Sequence, residues 1–267
     1  MATYTTEIAS DKLMSDNPIH QRLLKAYIAA KPMVGGKLLE VGCGEGRGVE
    51  VLLENVESYL GIDKIDEVIE SLKIKFPAIE FRQAVIPPFA GLKDNTYDTL
   101  VSFQVIEHIQ NDRLFLEEIY RVLKPGGKAI ISTPNIRHTL SRNPWHIREY
   151  TGTQLTDLCE SIFDKVESLG IGGNEKVWNY HEANRASVRK IMRFDILDLQ
   201  YRLPAFVLRW PYEILNRMNR NKLHQQQGNS VTDISNEDYI LVDHPDKGLD
   251  LFYVLYKKAK PKESHHQ

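Results

Sequence analysis

Between Leu38 and Leu52 the chain reads LLEVGCGEGRGVEVL, an apolar run that ends in Glu40 and is followed by glycines at 42, 44, 46 and 48. Glycines so spaced let a backbone turn sharply out of a strand and approach a ligand closely. Their surroundings narrow the ligand's chemistry. No Gly-Lys-Ser/Thr closes the loop, so it is not a Walker phosphate site. The dinucleotide spacing G-x-G-x-x-G also fails, because Arg47 stands three positions after Gly44. A carboxylate at Glu40, just before the loop, repels a pyrophosphate at a helix N-terminus and suits a cation. Asp63 ends the run SYLGID about twenty residues on, where a carboxylate can accept both hydroxyls of a ribose.

Glycine loop, adjoining acid and ribose acid together suit a nucleoside that carries positive charge. S-adenosylmethionine, with its ammonium and sulfonium, is such a ligand. The alternative from another class is an NAD-dependent oxidoreductase, which Glu40 and the missing third glycine disfavour. Two further stretches are dense in reactive groups. Glu107 and His108 are adjacent, and NPWHIREYT (143–151) sets Trp145, His146, Arg148, Glu149 and Tyr150 within six positions. Aromatic and ionisable residues so concentrated on a loop suit the binding of an acceptor molecule. His146 is a candidate catalytic base there, and Trp145, Arg148 and Tyr150 are candidate substrate contacts. The structural alternative is an Arg148–Glu149 pair, with Thr151 or Thr153 capping the next helix. His138, upstream, is expected to be exposed. Cys43 is expected to be a small packing residue beside the ligand. No His/Cys cluster has zinc spacing, so no metal is expected.

The elements that must position these residues alternate. Strands are expected at 37–42, 58–63, 80–85, 97–103 and 128–134, and helices at 17–31, 65–76 and 111–124. Asn17 and Asn111 or Asp112 are the cap candidates, and Pro125-Gly126-Gly127 the stop. Strands alternating with helices imply an α/β fold: a doubly wound, mostly parallel sheet with helices on both faces and ligands at the strands' carboxyl ends. After Asn135 the pattern changes, with a loop, a helix near 153–161 and a strand near 163–169. Residues 180–226 read as mostly helical, and 249–258 as a closing strand. Between Arg185 and Lys222 nine Lys/Arg face three Asp/Glu, among large apolar residues Phe194, Tyr201, Phe206, Trp210 and Tyr212. This insert suits a cap over the acceptor, a dimer contact or a basic amphipathic surface on a membrane.

Composition sets outer bounds. The chain has 267 residues, 42% hydrophobic and 26% charged, with a formal charge of −2, so no global field points to nucleic acid. No recognised nucleic-acid module is present. No apolar run approaches the ~20 residues that span a bilayer. The opening residues lack a signal-peptide pattern, and the two cysteines, Cys43 and Cys159, read as reduced thiols, so a cytoplasmic protein is expected.

The sequence resembles class I S-adenosylmethionine-dependent methyltransferases of the group that includes ubiquinone-type O-methyltransferases. LLEVGCGEG matches the family's first motif and YLGID its second-strand acid. DNTYDTLVSFQVIEHI (94–109) matches its fourth-strand segment, and RVLKPGGKAIISTPN (121–135) its following helix, turn and fifth strand. The resemblance covers roughly 36–170, with 249–258 as an antiparallel seventh strand. It implies a seven-stranded Rossmann-like sheet with an N-terminal helix and a helical insert before the last strand. It also implies that Glu40, Gly42, Cys43 and Gly44 line the methionine end, Asp63 holds the ribose, and Lys64, Ala84 and Val85 border the adenine. Gln104 would meet the cofactor through its backbone, and His108 would stand near the pocket as a base or edge residue. One departure is Val85 or Ala84 where the family commonly has an acid for the adenine amino group; a backbone carbonyl or Gln83 would replace it. The domains expected are a helical lid at 1–35 (with Tyr4, His20 or Tyr27 able to reach the pocket), a core at 36–175 and 238–258, an acceptor-capping insert at 176–237 and a disordered tail at 259–267. The function expected is methyl transfer to a small-molecule, lipid-linked or sugar-linked acceptor, most readily at oxygen, leaving S-adenosylhomocysteine. Proximity and orientation can contribute about 7–11 kcal/mol to such a displacement. The protein is expected to be a monomer or homodimer. A non-catalytic cofactor-binding module is a further alternative.

Overall fold

The structure, a computed structural model, describes residues 14–193, 195, 199–227 and 229–259. Tyr4, Phe194 and all but the first residue of the expected tail lie outside them. In chain order the main elements begin with α1 (Asn17–Ala30), β1 (Lys37–Val41), α2 (Arg47–Leu52), β2 (Ser58–Asp63), α3 (Asp66–Lys75), β3 (Glu80–Gln83), β4 (Tyr97–Phe103), α4 (Asp112–Val122) and β5 (Leu123–Pro134). They continue with α5 (Gly152–Glu160), β6 (Lys165–Gly173), α6 (Glu175–Met192), α7 (Leu199–Arg202), α8 (Ala205–Gln227), α9 (Asn229–Thr232), β7 (Tyr239–Val242) and β8 (Asp250–Tyr256).

The strands form one sheet in the order β3-β2-β1-β4-β5-β8-β6-β7, parallel from β3 to β5 and antiparallel beyond. The sheet has eight strands rather than the seven expected. The added strand is the short β7, which pairs with β6 from Gly173↔Tyr239 to Gly170↔Val242. Four residues beside a polar turn carry too little periodicity to announce a strand; the neighbouring edge supplies the hydrogen bonds that define it.

Alternating side chains feed two cores. Leu38 and Tyr59 turn to the face covered by α1, α2, α3 and α6, whereas Leu39 and Leu60 turn to the face covered by α4 and α5. Local signals set the ends of several helices. Asn111 caps α4 by accepting from Leu114 N at 3.0 Å, and Thr151 caps α5 in a reciprocal box with Gln154. Asn17 does not cap α1. Asp16 holds the cap position, and the Asn17 amide instead donates to the carbonyls of Val231 and Ile234, tying α1 to the segment after α8. Chain order reverses between β1 and β4, so the cleft opens at their carboxyl ends.

Candidate active site

A cavity of about 360 Å³ occupies that cleft. Gly42, Cys43, Gly44, Asp63, Lys64, Ala84, Val85, Gln104 and His108 line it, nine of the ten first-cavity residues expected from sequence. Gly42 has φ +78, and a Cβ there would lie 2.3 Å from Val105 Cγ2, so only glycine fits between β1 and β4. Gly44 has φ +48, and a Cβ there would meet nothing within 4 Å, which marks the open side of the loop. Asp63 is held by backbone: Gly44 N donates to Oδ2 at 2.9 Å and Ile65 N to Oδ1 at 3.1 Å. Each carboxylate oxygen offers two lone-pair sites, so each keeps one for a ribose hydroxyl. Gln104, at φ 57, turns the chain out of β4, and its N–H donates to Ser132 O at 2.8 Å. Burial pushes the Cys43 thiol well up, so it packs rather than reacts. The open glycine loop, the anchored carboxylate and the apolar walls at Ile65, Val85 and Ile86 fit an adenosine bearing a charged side chain.

Glu40 is the exception. It is 1% exposed and lies beneath the cavity instead of lining it. Tyr27 Oη donates to its Oε1 at 2.7 Å, and Tyr59 Oη donates to Oε2. Gly48 packs so closely that a Cβ would stand 2.7 Å from Oε2. Burial raises the carboxyl to about 8. Glu40 therefore rivets α1, β2 and α2 under the loop. The residue type was legible from sequence; its two tyrosine partners were not. Sequence reading also missed the wall residues Leu23, Arg47 and Ile109, whereas Tyr27, named as a candidate, does reach the cavity. Gln83 turns away and donates to Lys64 O at 3.2 Å.

A second cavity, about 190 Å³, lies between α1, the loop after β5, α6 and α8. Arg22, His138, His146, Glu149, His181 and Arg220 line it, among others. Arg22 is paired with buried Asp250 at 3.2 Å, and Arg220 with buried Asp16 at 3.1 Å. Burial, then Arg185 and Arg22, bring His181 down to about 4, so it stays neutral. His138 is part-buried: its Nε2–H donates to Asp246 O at 3.1 Å, and its ring meets His181 edge-on.

A pair of histidines in contact stands between the two cavities. His108 lines the first and His146 the second, and their rings are 4.9 Å apart at 86°. The Nδ1–H of His108 donates to Trp145 O at 2.9 Å. His146 Nδ1 bonds Glu149 Oε1 at 2.6 Å, and Glu149 Oε2 accepts from Thr139 Oγ1. With its Nδ1–H given to that carboxylate, the Nε2 lone pair of His146 is left to accept, and the Asn143 amide fills it at 2.8 Å. Glu107, also buried, accepts from Thr133 at 2.9 Å and is raised by burial to about 7. One potential metal-ligand atom from each of Glu107, His108 and His146 falls within 4.8 Å of the others, a grouping that spacing along the chain did not show.

The remaining loop residues lie elsewhere. Trp145, Arg148 and Tyr150 line neither cavity. Arg148 and Tyr150 both bond Asp112 Oδ2, the tyrosine at 2.8 Å, which clamps the loop to the start of α4. The Trp145 ring is covered by the Arg209 guanidinium at 4.0 Å. The alternative Arg148–Glu149 pair does not form, because each residue has a better-placed partner.

Comparison with known proteins decides the family. A family model described as "Methyltransferase domain" matches residues 39–131. A relative from Mycolicibacterium smegmatis, named as a probable S-adenosylmethionine-dependent methyltransferase, is 30% identical over 204 residues, 74% of this chain and 73% of that one. The chain belongs to the S-adenosylmethionine-dependent methyltransferases. The methyltransferase takes S-adenosylmethionine as its cofactor, and the nicotinamide alternative falls. It is also 33% identical over 132 residues to the human mitochondrial ubiquinone biosynthesis O-methyltransferase, covering 47% of this chain but 34% of that relative. The fold is shared with a Thermotoga maritima S-adenosylmethionine-dependent methyltransferase at a TM-score of 0.56 and 14% identity, over 89% of both chains. No helix among the described residues is long and apolar enough to cross a membrane.

Proposed function

We propose that this methyltransferase methylates a hydroxyl oxygen of a small-molecule, lipid-linked or sugar-linked acceptor seated in the second cavity, with His146 as the base. The observation that supports this is the contact of His108, in the wall of the first cavity, with His146, in the wall of the second. When bound, S-adenosylmethionine supplies a methyl group on a sulfonium, electrophilic without further activation. The chain's own work is then to hold, orient and deprotonate. In this reading Asp63 accepts from the ribose hydroxyls, Lys64, Ala84 and Val85 border the base, and the Gly42–Gly44 backbone and Gln104 border the amino-acid end. Glu149 fixes the His146 ring and its tautomer, as a carboxylate does for a base in hydrolytic triads. Asn143 marks where a polar group sits against Nε2; an acceptor hydroxyl replaces that amide and gives its proton to Nε2 as its oxygen becomes the nucleophile. A neutral hydroxyl needs such a base, and the human relative's name, an O-methyltransferase, agrees.

Two measurements test it. S-adenosylhomocysteine at a hundred times its dissociation constant should add about 2.7 kcal/mol, raising the melting temperature by roughly 5–10 °C. NAD should add nothing. Across a panel of hydroxylated acceptors, turnover should require His146, and His146→Ala should keep the full thermal shift. Unchanged turnover in that variant would refute the assignment of the base.

A further inference from the structure

Helix α8 has two faces of opposite character. Its inner face closes the second cavity through Asn216, Asn219 and Arg220. That face is held by hydrogen bonds, Asn219 to Asn184 at 2.8 Å and Ser187 to Asn219 at 2.5 Å, and by the ion pairs of Arg217 and Arg220 with Asp16. The outer face carries Phe206, Val207, Trp210, Ile214 and Met218, spaced to fall on one side of a helix. Trp210 is 77% exposed, Phe206 72% and Met218 62%. Of the fourteen large apolar residues exposed among the described residues, eight lie between Leu199 and Met218. Single exposed apolar residues need no explanation, but a contiguous set does. A surface helix of a globular protein normally turns polar residues outward; here the outward positions of the first half are apolar.

Charge selects the occupant. From Leu199 to Gln225 there are five Lys/Arg and one acid, Glu213. Arg217 and Arg220 are paired with Asp16 and Arg209 lies over the Trp145 ring, while Arg202 and Lys222 are exposed along the patch. A twofold contact between copies would press this patch on itself and set like charges together. An anionic lipid surface supplies the opposite charge and takes up the apolar side chains, and Trp and Tyr rings favour the headgroup level. We propose that the outer face of α7 and α8 docks the protein on an anionic membrane surface, with α8 lying in the interface plane. At 1.5 Å per residue the helix is about 34 Å long, but its charged residues keep it from crossing. Because the inner face of the same helix closes the second cavity, docking holds that cavity one helix diameter, ~10 Å, from the headgroups. The supply of an amphiphilic acceptor by this route rests on the function proposed above; the docking itself does not.

The test is co-sedimentation of the full chain with vesicles of phosphatidylcholine alone and of phosphatidylcholine mixed with phosphatidylglycerol. The protein should pellet with the anionic vesicles and be released by salt. Trp210→Asn with Ile214→Asn should weaken partitioning at least about tenfold. Arg202→Gln with Lys222→Gln should weaken it roughly ten- to thirtyfold at low salt. Both variants should keep the S-adenosylhomocysteine thermal shift, which shows them folded. The proposal is overturned if the wild type pellets with neither vesicle, if folded variants bind as the wild type does, or if the patch instead holds a dimer that Trp210→Asn disperses. Vesicle binding without any thermal shift would sustain the docking surface and defeat the proposed function, so the two failures are distinct.

Discussion

The two cavities are built by opposite means. The first is made of one stretch of chain: a strand end, a glycine loop and three further strand ends, all between Gly42 and Ile109 apart from two side chains of α1. The second draws Arg22 from α1, His138 and His146 from the loop after β5, His181 from α6 and Arg220 from α8. Their electrostatics differ as well. The first has Asp63 at its wall and the raised carboxyl of Glu40 beneath it; the second has two arginines tied to buried acids and a histidine kept neutral. A site of local motifs can recur across a family with its ligand unchanged. A site assembled from distant elements can change its ligand by changing an insert, which is where specificity resides on a shared fold.

The sharpest way to separate the cavities is at their junction. His146→Ala should lower turnover by about 10²- to 10⁴-fold, the usual worth of a general base, while S-adenosylhomocysteine binds as before. Calorimetric titration beside a steady-state assay would show the split. The second effect belongs to the first cavity's foundation. The Glu40 carboxyl rises from an ordinary 4.5 to about 8 on burial, so the folded state keeps a proton that the unfolded state has released. Glu40 therefore contributes most below pH 4.5, and that contribution is lost as pH rises through 8. The total loss should be about 5 kcal/mol. Denaturant titrations across the window should show this slope in the wild type and its absence in Glu40→Gln. Asp63→Ala should weaken S-adenosylhomocysteine roughly ten- to a hundredfold, as expected for charge-assisted bonds worth about 1.5–3 kcal/mol. It should raise the cofactor's KM more than it lowers kcat. The smallest effect should come from Tyr150→Phe. Its hydroxyl bonds Asp112 rather than any cavity, so the change should cost roughly 0.5–1.5 kcal/mol of stability and leave both KM values alone. A KM effect for the acceptor there would return Tyr150 to the binding site.

The same contrast explains what could be read from the sequence. β2 and β4 fall where the apolar runs place them, and Gly42, Gly44 and Asp63 line the first cavity because the loop and strand ends that carry them are local. Glu40 was legible as an important acid, but its engagement by Tyr27 and Tyr59 depends on two other elements crossing beneath it. In the loop 143–151, composition singled out the stretch but not the roles. Asp112 takes Arg148 and Tyr150, and only the folded chain brings it within reach. Arg22, His138, His181 and Arg220 have no common spacing, so nothing short of the fold joins them. The eighth strand was missed for the same reason: β7 is defined by its partner's edge and not by its own four residues.

In the function proposed here, a hydroxyl in the second cavity is methylated beside the His108–His146 pair. The most direct test is to incubate the protein with methyl-deuterated S-adenosylmethionine and a cell extract separated into polar and lipid fractions, and to identify labelled products by mass spectrometry. The account predicts a product carrying the deuterated methyl on oxygen, absent when His146→Ala replaces the wild type. A label on nitrogen or carbon, or the same product from the His146 variant at an undiminished rate, would contradict it.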